Sequence, residues 1–172
     1  MGHRIYCRDI VLKTDELLTD IADRLSLTAD GFSPAGDADV HNTKDVLDDG
    51  NREIVLGLIA RYVAECMNIL YPYAKTPLIR ECAGDRPDCP QAYVIRLTFD
   101  RMGSETCIRQ LVRCVHDYIV YKCYAEWLEI TLPLSNLHTL WEQKAADVRE
   151  QIVTLLVLPY EPKSLRVRPR WY

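Results

Sequence analysis

From Ser104 to Thr131 the chain carries Ile108, Leu111, Val112, Val115, Ile119, Cys123, Trp127 and Ile130 at steps of three and four residues. That period is the signature of a helix burying one face. Tyr118, Tyr121, Tyr124 and Leu128 widen the stripe beyond a single seam, so the helix is expected to meet several neighbours. Ser104 suits the N-cap, Glu105 suits the positive end of the helix dipole, and Pro133 ends the run. At 1.5 Å per residue such a helix is roughly 40 Å long, the pillar of a mostly α domain.

The other segments are read around this pillar. Thr14, Asp15 and Glu16 open a first helix to about Leu25, with Thr14 as N-cap and Leu17, Leu18, Ile21 and Leu25 buried. Residues 26–49 read as a long acidic loop holding Gly31, Pro34 and Gly36. A second helix is expected from Arg52 to Leu70, its broad apolar face including Ile54, Val55, Leu58, Ile59, Tyr62, Val63 and Cys66. Four prolines make residues 72–91 a rigid irregular connection. Tyr93 to Phe99 alternates and is β-branched, which predicts one short strand, paired with residues 1–13 or with another subunit. A last helix from Leu137 to Val157 points Leu137, Leu140, Trp141, Ala145, Val148, Ile152, Leu155 and Leu156 inward. The expectation is an antiparallel bundle of about four helices, in one domain over 1–160, followed by a basic aromatic tail over 161–172.

Composition narrows the function classes. An apolar fraction of 48% and a charged fraction of 27% are those of an ordinary globular chain. A net charge of −4 argues against nucleic acid as the principal partner. No stretch approaches the length of an apolar membrane span, and residues 1–7 carry no apolar signal core. Seven cysteines is an odd number, and Cys7, Cys66, Cys107, Cys114 and Cys123 sit in apolar or helical contexts. That pattern favours free thiols in a reducing cytoplasm over a disulfide framework.

The motifs that would announce chemistry are missing. Cys82 and Cys89 are too far apart for the usual tight zinc pair, and Cys114 and His116 point to different faces of one helix. No Glu-x-x-His occurs, so Glu126, Glu129 and Glu142 read as solvated or interfacial charges rather than di-metal ligands. Asp37-Ala-Asp39-Val-His41-Asn42 lacks the glycine and the terminal glutamate of a calcium loop. No phosphate-binding, dinucleotide, nucleophile-elbow or zinc-protease motif is present. The expectation is a non-enzymatic protein with no metal, cofactor or small-molecule substrate. The interaction candidates are Arg166, Arg168, Arg170, Trp171 and Tyr172 in the tail, with Asp37, Asp39 and Asp45 in a neighbour's acidic loop. Basic tail into acidic loop is a heterologous contact of the kind that closes into rings.

The order of segments resembles that of the head–tail adaptor, or connector, proteins of tailed bacteriophages and prophages. The carrying residues are Ile59-Ala-Arg-Tyr62-Val-Ala64, then His116-Asp-Tyr118-Ile-Val-Tyr121 with Trp127-Leu128, then Trp141-Glu-Gln-Lys144-Ala145. The likeness spans residues 14–158 as a pattern of segments rather than a diagnostic motif, and the seven cysteines depart from it. It implies a non-catalytic ring subunit that meets portal or tail proteins, in the cytoplasm of a bacterial host or in the virion. Two other readings stay open: a helical protein-binding module of a bacterial accessory or regulatory protein, and a thiol- or metal-dependent enzyme using Cys82, Cys89, Cys114 or His116.

Overall fold

The computed structural model describes residues 6–32, 49–82, 90–99, 105–132 and 136–157. They form a mostly helical fold with a small antiparallel sheet. In chain order the elements are β1 (Tyr6–Lys13), α1 (Thr14–Phe32), α2 (Asp49–Ile69), β2 (Ile79–Glu81), β3 (Ala92–Phe99), α3 (Glu105–Thr131) and α4 (Leu137–Val157).

The pillar α3 has the expected bounds, and it buries Leu111, Cys114, Val115, Tyr118, Ile119, Val120, Cys123, Tyr124, Ala125, Trp127 and Leu128. Burial on so many sides follows from its neighbours, because α1, α2 and α4 all pack against it. Two expectations about its flanks fail. Ile130 is 56% exposed in the last turn, and Leu140 at the start of α4 is 49% exposed. Both lie near the ends where α3 leads into α4, and no described neighbour covers them.

The helices α3 and α4 run antiparallel, since Lys122 meets Glu142 at 2.7 Å while the earlier Cys114 faces the later Gln151 at 3.8 Å. Trp141 joins them by edge-on contacts with Tyr121 and Tyr124, ring centroids 5.3 and 4.7 Å apart. Ala145, Ile152, Leu155 and Leu156 are buried, and Leu137, Trp141 and Val148 pack partly buried against them.

The first helix continues to Phe32, well past Leu25, and the second begins at Asp49 with Gly50 in its first turn. On α2, Ile54 points out, 47% exposed, while Val55, Leu58, Ile59, Tyr62, Val63 and Cys66 fill the interior. Thr14 starts α1, but its hydroxyl donates to the Pro90 carbonyl at 2.6 Å and its N–H to the Gln91 carbonyl at 2.9 Å. The strand therefore turns directly into the helix around a threonine fastened to the chain ahead of β3.

Among the described residues the sheet has three strands, in the order β1-β3-β2: the expected strand, the N-terminal arm expected as a strand or extended segment, and an unexpected third. The N-terminal arm is the partner of the central strand, pairing Tyr6 with Phe99 through Lys13 with Ala92. The proline-rich connection supplies β2, which pairs Ile79 with Val94 and Glu81 with Ala92. Side chains alternate across the sheet. Ile10 and Leu12 of β1 join Tyr93, Ile95, Leu97 and Phe99 of β3 in the common apolar interior. On the opposite face Asp9 lies beside Arg96, which donates to both carboxylate oxygens at 2.9 Å.

Candidate functional site

Among the described residues, a row of paired ionisable groups lies between α2, α3 and α4. Tyr118, Lys122 and Glu126 are spaced four apart on α3 and so stand in one row along it. The first end of the row meets α2 where the Tyr118 hydroxyl donates to Glu65 Oε1 at 2.6 Å. At the other end Glu126 accepts from both Arg61 and the Tyr62 hydroxyl, and Arg61 also donates to that hydroxyl. In the middle Lys122 reaches across to α4, donating to both oxygens of Glu142 at 2.7 and 2.8 Å. Its ammonium also stands 5.3 Å from the centre of the Tyr62 ring.

Each polar tip in this row is matched by a partner of opposite character on another helix. Burial pushes the Tyr62 and Tyr118 hydroxyls well above the ordinary phenol range, and their carboxylate acceptors Glu126 and Glu65 push the same way. Both phenols remain protonated donors through the neutral range. Beneath the row, the Cys66 and Cys123 thiols are buried, and burial raises both far above the ordinary thiol value. Burial raises Cys114 as well, with the nearby Asp117 carboxylate adding to it. Nucleophilic and metal-binding chemistry needs the thiolate, and these environments disfavour it.

On the far side of α3, His116 Nε2 stands 3.5 Å from Asp20 of α1 and Nδ1 stands 4.0 Å from Asp117. Cys114 faces α4, so the two residues do point to different faces of the helix. Arg24 of α1 sits over the Tyr121 ring at 4.8 Å and over Trp141 at 5.8 Å, and Lys144 approaches Trp141 at 3.7 Å. Cys82 is exposed at the end of β2. Among the described residues no three His, Cys, Asp or Glu side chains converge as a metal site would require. No helix among them is long and apolar enough to cross a membrane.

The interaction candidates Arg166, Arg168, Arg170, Trp171, Tyr172, Asp37, Asp39 and Asp45 lie outside the described residues, as does Cys89. The row that the structure does assemble combines residues that periodicity assigns to the apolar face (Tyr62, Tyr118) with charges that it assigns to solvent or interfaces (Glu126, Glu142). The four-residue spacing of Tyr118, Lys122 and Glu126 was its one local signal.

The chain matches no protein-family model, and no curated protein and no solved structure is significantly similar to it.

Proposed function

We propose that the chain is a non-catalytic structural subunit, an antiparallel helical bundle that assembles with copies of itself at a phage or prophage head–tail junction. The observation that carries this reading is the row between α2, α3 and α4. Its hydroxyls, ammonium and carboxylates pair helix to helix, through Tyr118 with Glu65, Tyr62 and Arg61 with Glu126, and Lys122 with Glu142. An active site holds polar groups ready for a substrate, whereas here they hold helices to one another. Paired groups of this kind fix the relative position of helices, which suits a scaffold.

Its partners are further copies of the chain and portal or tail proteins, with no small-molecule substrate or cofactor. The test is co-elution from a sizing column with a phage portal protein, taken from an adjacent gene where one lies there. A stable joint complex supports the junction reading. Separate elution at micromolar concentrations of both, with the chain still folded, contradicts it.

A further inference from the structure

We propose that β1 is a self-complementary edge through which two copies of the chain pair antiparallel, joining their sheets into one of six strands. Among the described residues β1 has β3 on one side and no strand on the other. An open edge of this length presents a row of backbone donors and acceptors to a further strand.

Which groups face outward follows from the hydrogen bonds of the sheet. In an antiparallel ladder the N–H and C=O of one residue point to the same side, and the side alternates along the strand. The Thr98 N–H donates at 2.9 Å to Tyr73, in the chain leading into β2, so residues 93, 95, 97 and 99 turn toward β1. Thr14 donating to Gln91 at 2.9 Å gives the same phase from the other strand. By the pairing of the two strands, residues 6, 8, 10 and 12 of β1 answer β3. The backbone groups of Cys7, Asp9, Val11 and Lys13 therefore face the open edge. Their side chains share the sheet face that also carries Arg96, Val94 and Ile79.

Charge then selects the register. Centring a two-fold contact on Val11 sets Asp9 of one copy opposite Lys13 of the other, twice, with Val11 opposite Val11. Ile10 then lies opposite Leu12 on the interior face. Centring it on Asp9 sets two carboxylates opposite one another, and centring it on Ile10 leaves Asp9 opposite Val11. Only registers of this even kind keep interior and exterior faces aligned. Opposite charges directly across a ladder stabilise it and like charges destabilise it.

The Val11 register also completes an apolar row. Val11 is 48% exposed and Ile79 41% exposed, with Val94 buried between them on the same face. Joining the edges makes Ile79, Val94 and Val11 continuous with their counterparts in the second copy. Asp9 already accepts from Arg96, and Lys13 already donates to Glu16 at 2.7 Å. Each carboxylate oxygen has a further lone pair and the ammonium further protons, so the new pairs add to the old. The strand leaves the sheet at Thr14, which limits the new ladder to residues 9–13 and makes the contact a weak, reversible one.

A two-fold contact closes on two copies, so this inference goes beyond the junction reading, whose ring needs a separate heterologous interface. The test is sedimentation equilibrium of the full chain across a wide concentration range. Wild type should show a monomer–dimer equilibrium. Val11→Pro removes an N–H that faces outward, which an edge strand tolerates, and should weaken the dimer at least tenfold while the far-ultraviolet dichroism stays native. Lys13→Asp and Asp9→Lys should each be monomeric alone, and their mixture should dimerise, since every pair across that heterodimer is again opposite in charge. A mixture that stays monomeric overturns the proposal even if Val11→Pro fails to fold.

Three other outcomes also overturn it. They are a wild-type chain that remains monomeric throughout, a Val11→Pro dimer as tight as wild type, and a dimer that appears only after deletion of residues 161–172. The last would assign the edge to the chain's own tail. Val11→Pro that loses the dimer yet still co-elutes with the portal separates this contact from the junction reading.

Discussion

Trp127 is 2% exposed on α3, and its indole N–H has no hydrogen-bond partner among the described residues. The large buried ring contributes packing, whereas an unpaired N–H in the interior opposes folding. Trp127→Ala should therefore cost roughly 3–5 kcal/mol in chemical denaturation, and Trp127→Phe much less, because it removes the unpaired donor with only part of the volume. Equal losses for the two would show that the ring's packing is not what matters. The thiols give a second residue-scale expectation. Cys66 and Cys123 are buried and held protonated, whereas Cys7 and Cys82 are exposed. A thiol reagent at neutral pH should modify Cys7 and Cys82 in the folded chain and reach Cys66 and Cys123 only on unfolding. Rapid native labelling of Cys123 in peptide mapping would contradict the packing of α3.

At the scale of elements, the Tyr–carboxylate pairs make a statement about alkaline pH. Tyr62 and Tyr118 have folded values raised above the ordinary phenol value of about 10. Their contribution is fully present below the unfolded value and is lost as pH rises from there through the folded one. Stability should thus fall above about pH 10, where the unfolded chain releases phenolic protons that the folded chain retains. Tyr118→Phe should cost about 1–3 kcal/mol at neutral pH, since it leaves the part-buried Glu65 without that donor. It should also flatten the alkaline limb of the stability curve. An alkaline limb unchanged in the Tyr62→Phe, Tyr118→Phe double variant would show that these hydroxyls exchange with solvent.

The elements also show what was legible in the sequence. The bounds of α3 and α4 follow from the apolar period and from Pro133, because both helices are long and bury a persistent stripe. Ile130, Leu140 and Ile54 follow the same period and are nonetheless exposed, since periodicity gives a face but not how far the neighbouring helix extends. The strand Tyr93–Phe99 was legible from its alternation. Its partner β2 was not, because three residues among prolines carry no period of their own. Thr14 was readable as the start of α1, but its bond to Pro90 joins residues 76 apart in sequence, which no local pattern contains. The row of Tyr62, Glu65, Tyr118, Lys122, Glu126 and Glu142 was hidden for the same reason. Its members come from three helices.

At the scale of the whole molecule, α3 touches each of the other three described helices, while β1 and β3 bring the N-terminal arm against the interior. The groups that bridge helices are paired inside the chain, and any association must use its outer parts. Residues 164–172 carry Arg166, Arg168 and Arg170 with Trp171 and Tyr172. Deleting them should leave the melting temperature unchanged while weakening self-association in a salt-dependent way, as expected for a basic segment meeting an acidic one. A truncated chain that fails to fold would assign the tail to the interior instead.

The most direct measurement of the central claim is light scattering behind a sizing column, on the full chain alone over a wide concentration range and again with the proposed partner, a phage portal protein. The account predicts a mass that grows with concentration and a discrete larger complex when the portal is present. A mass that stays at the 19.9 kDa of one chain under both conditions would contradict it.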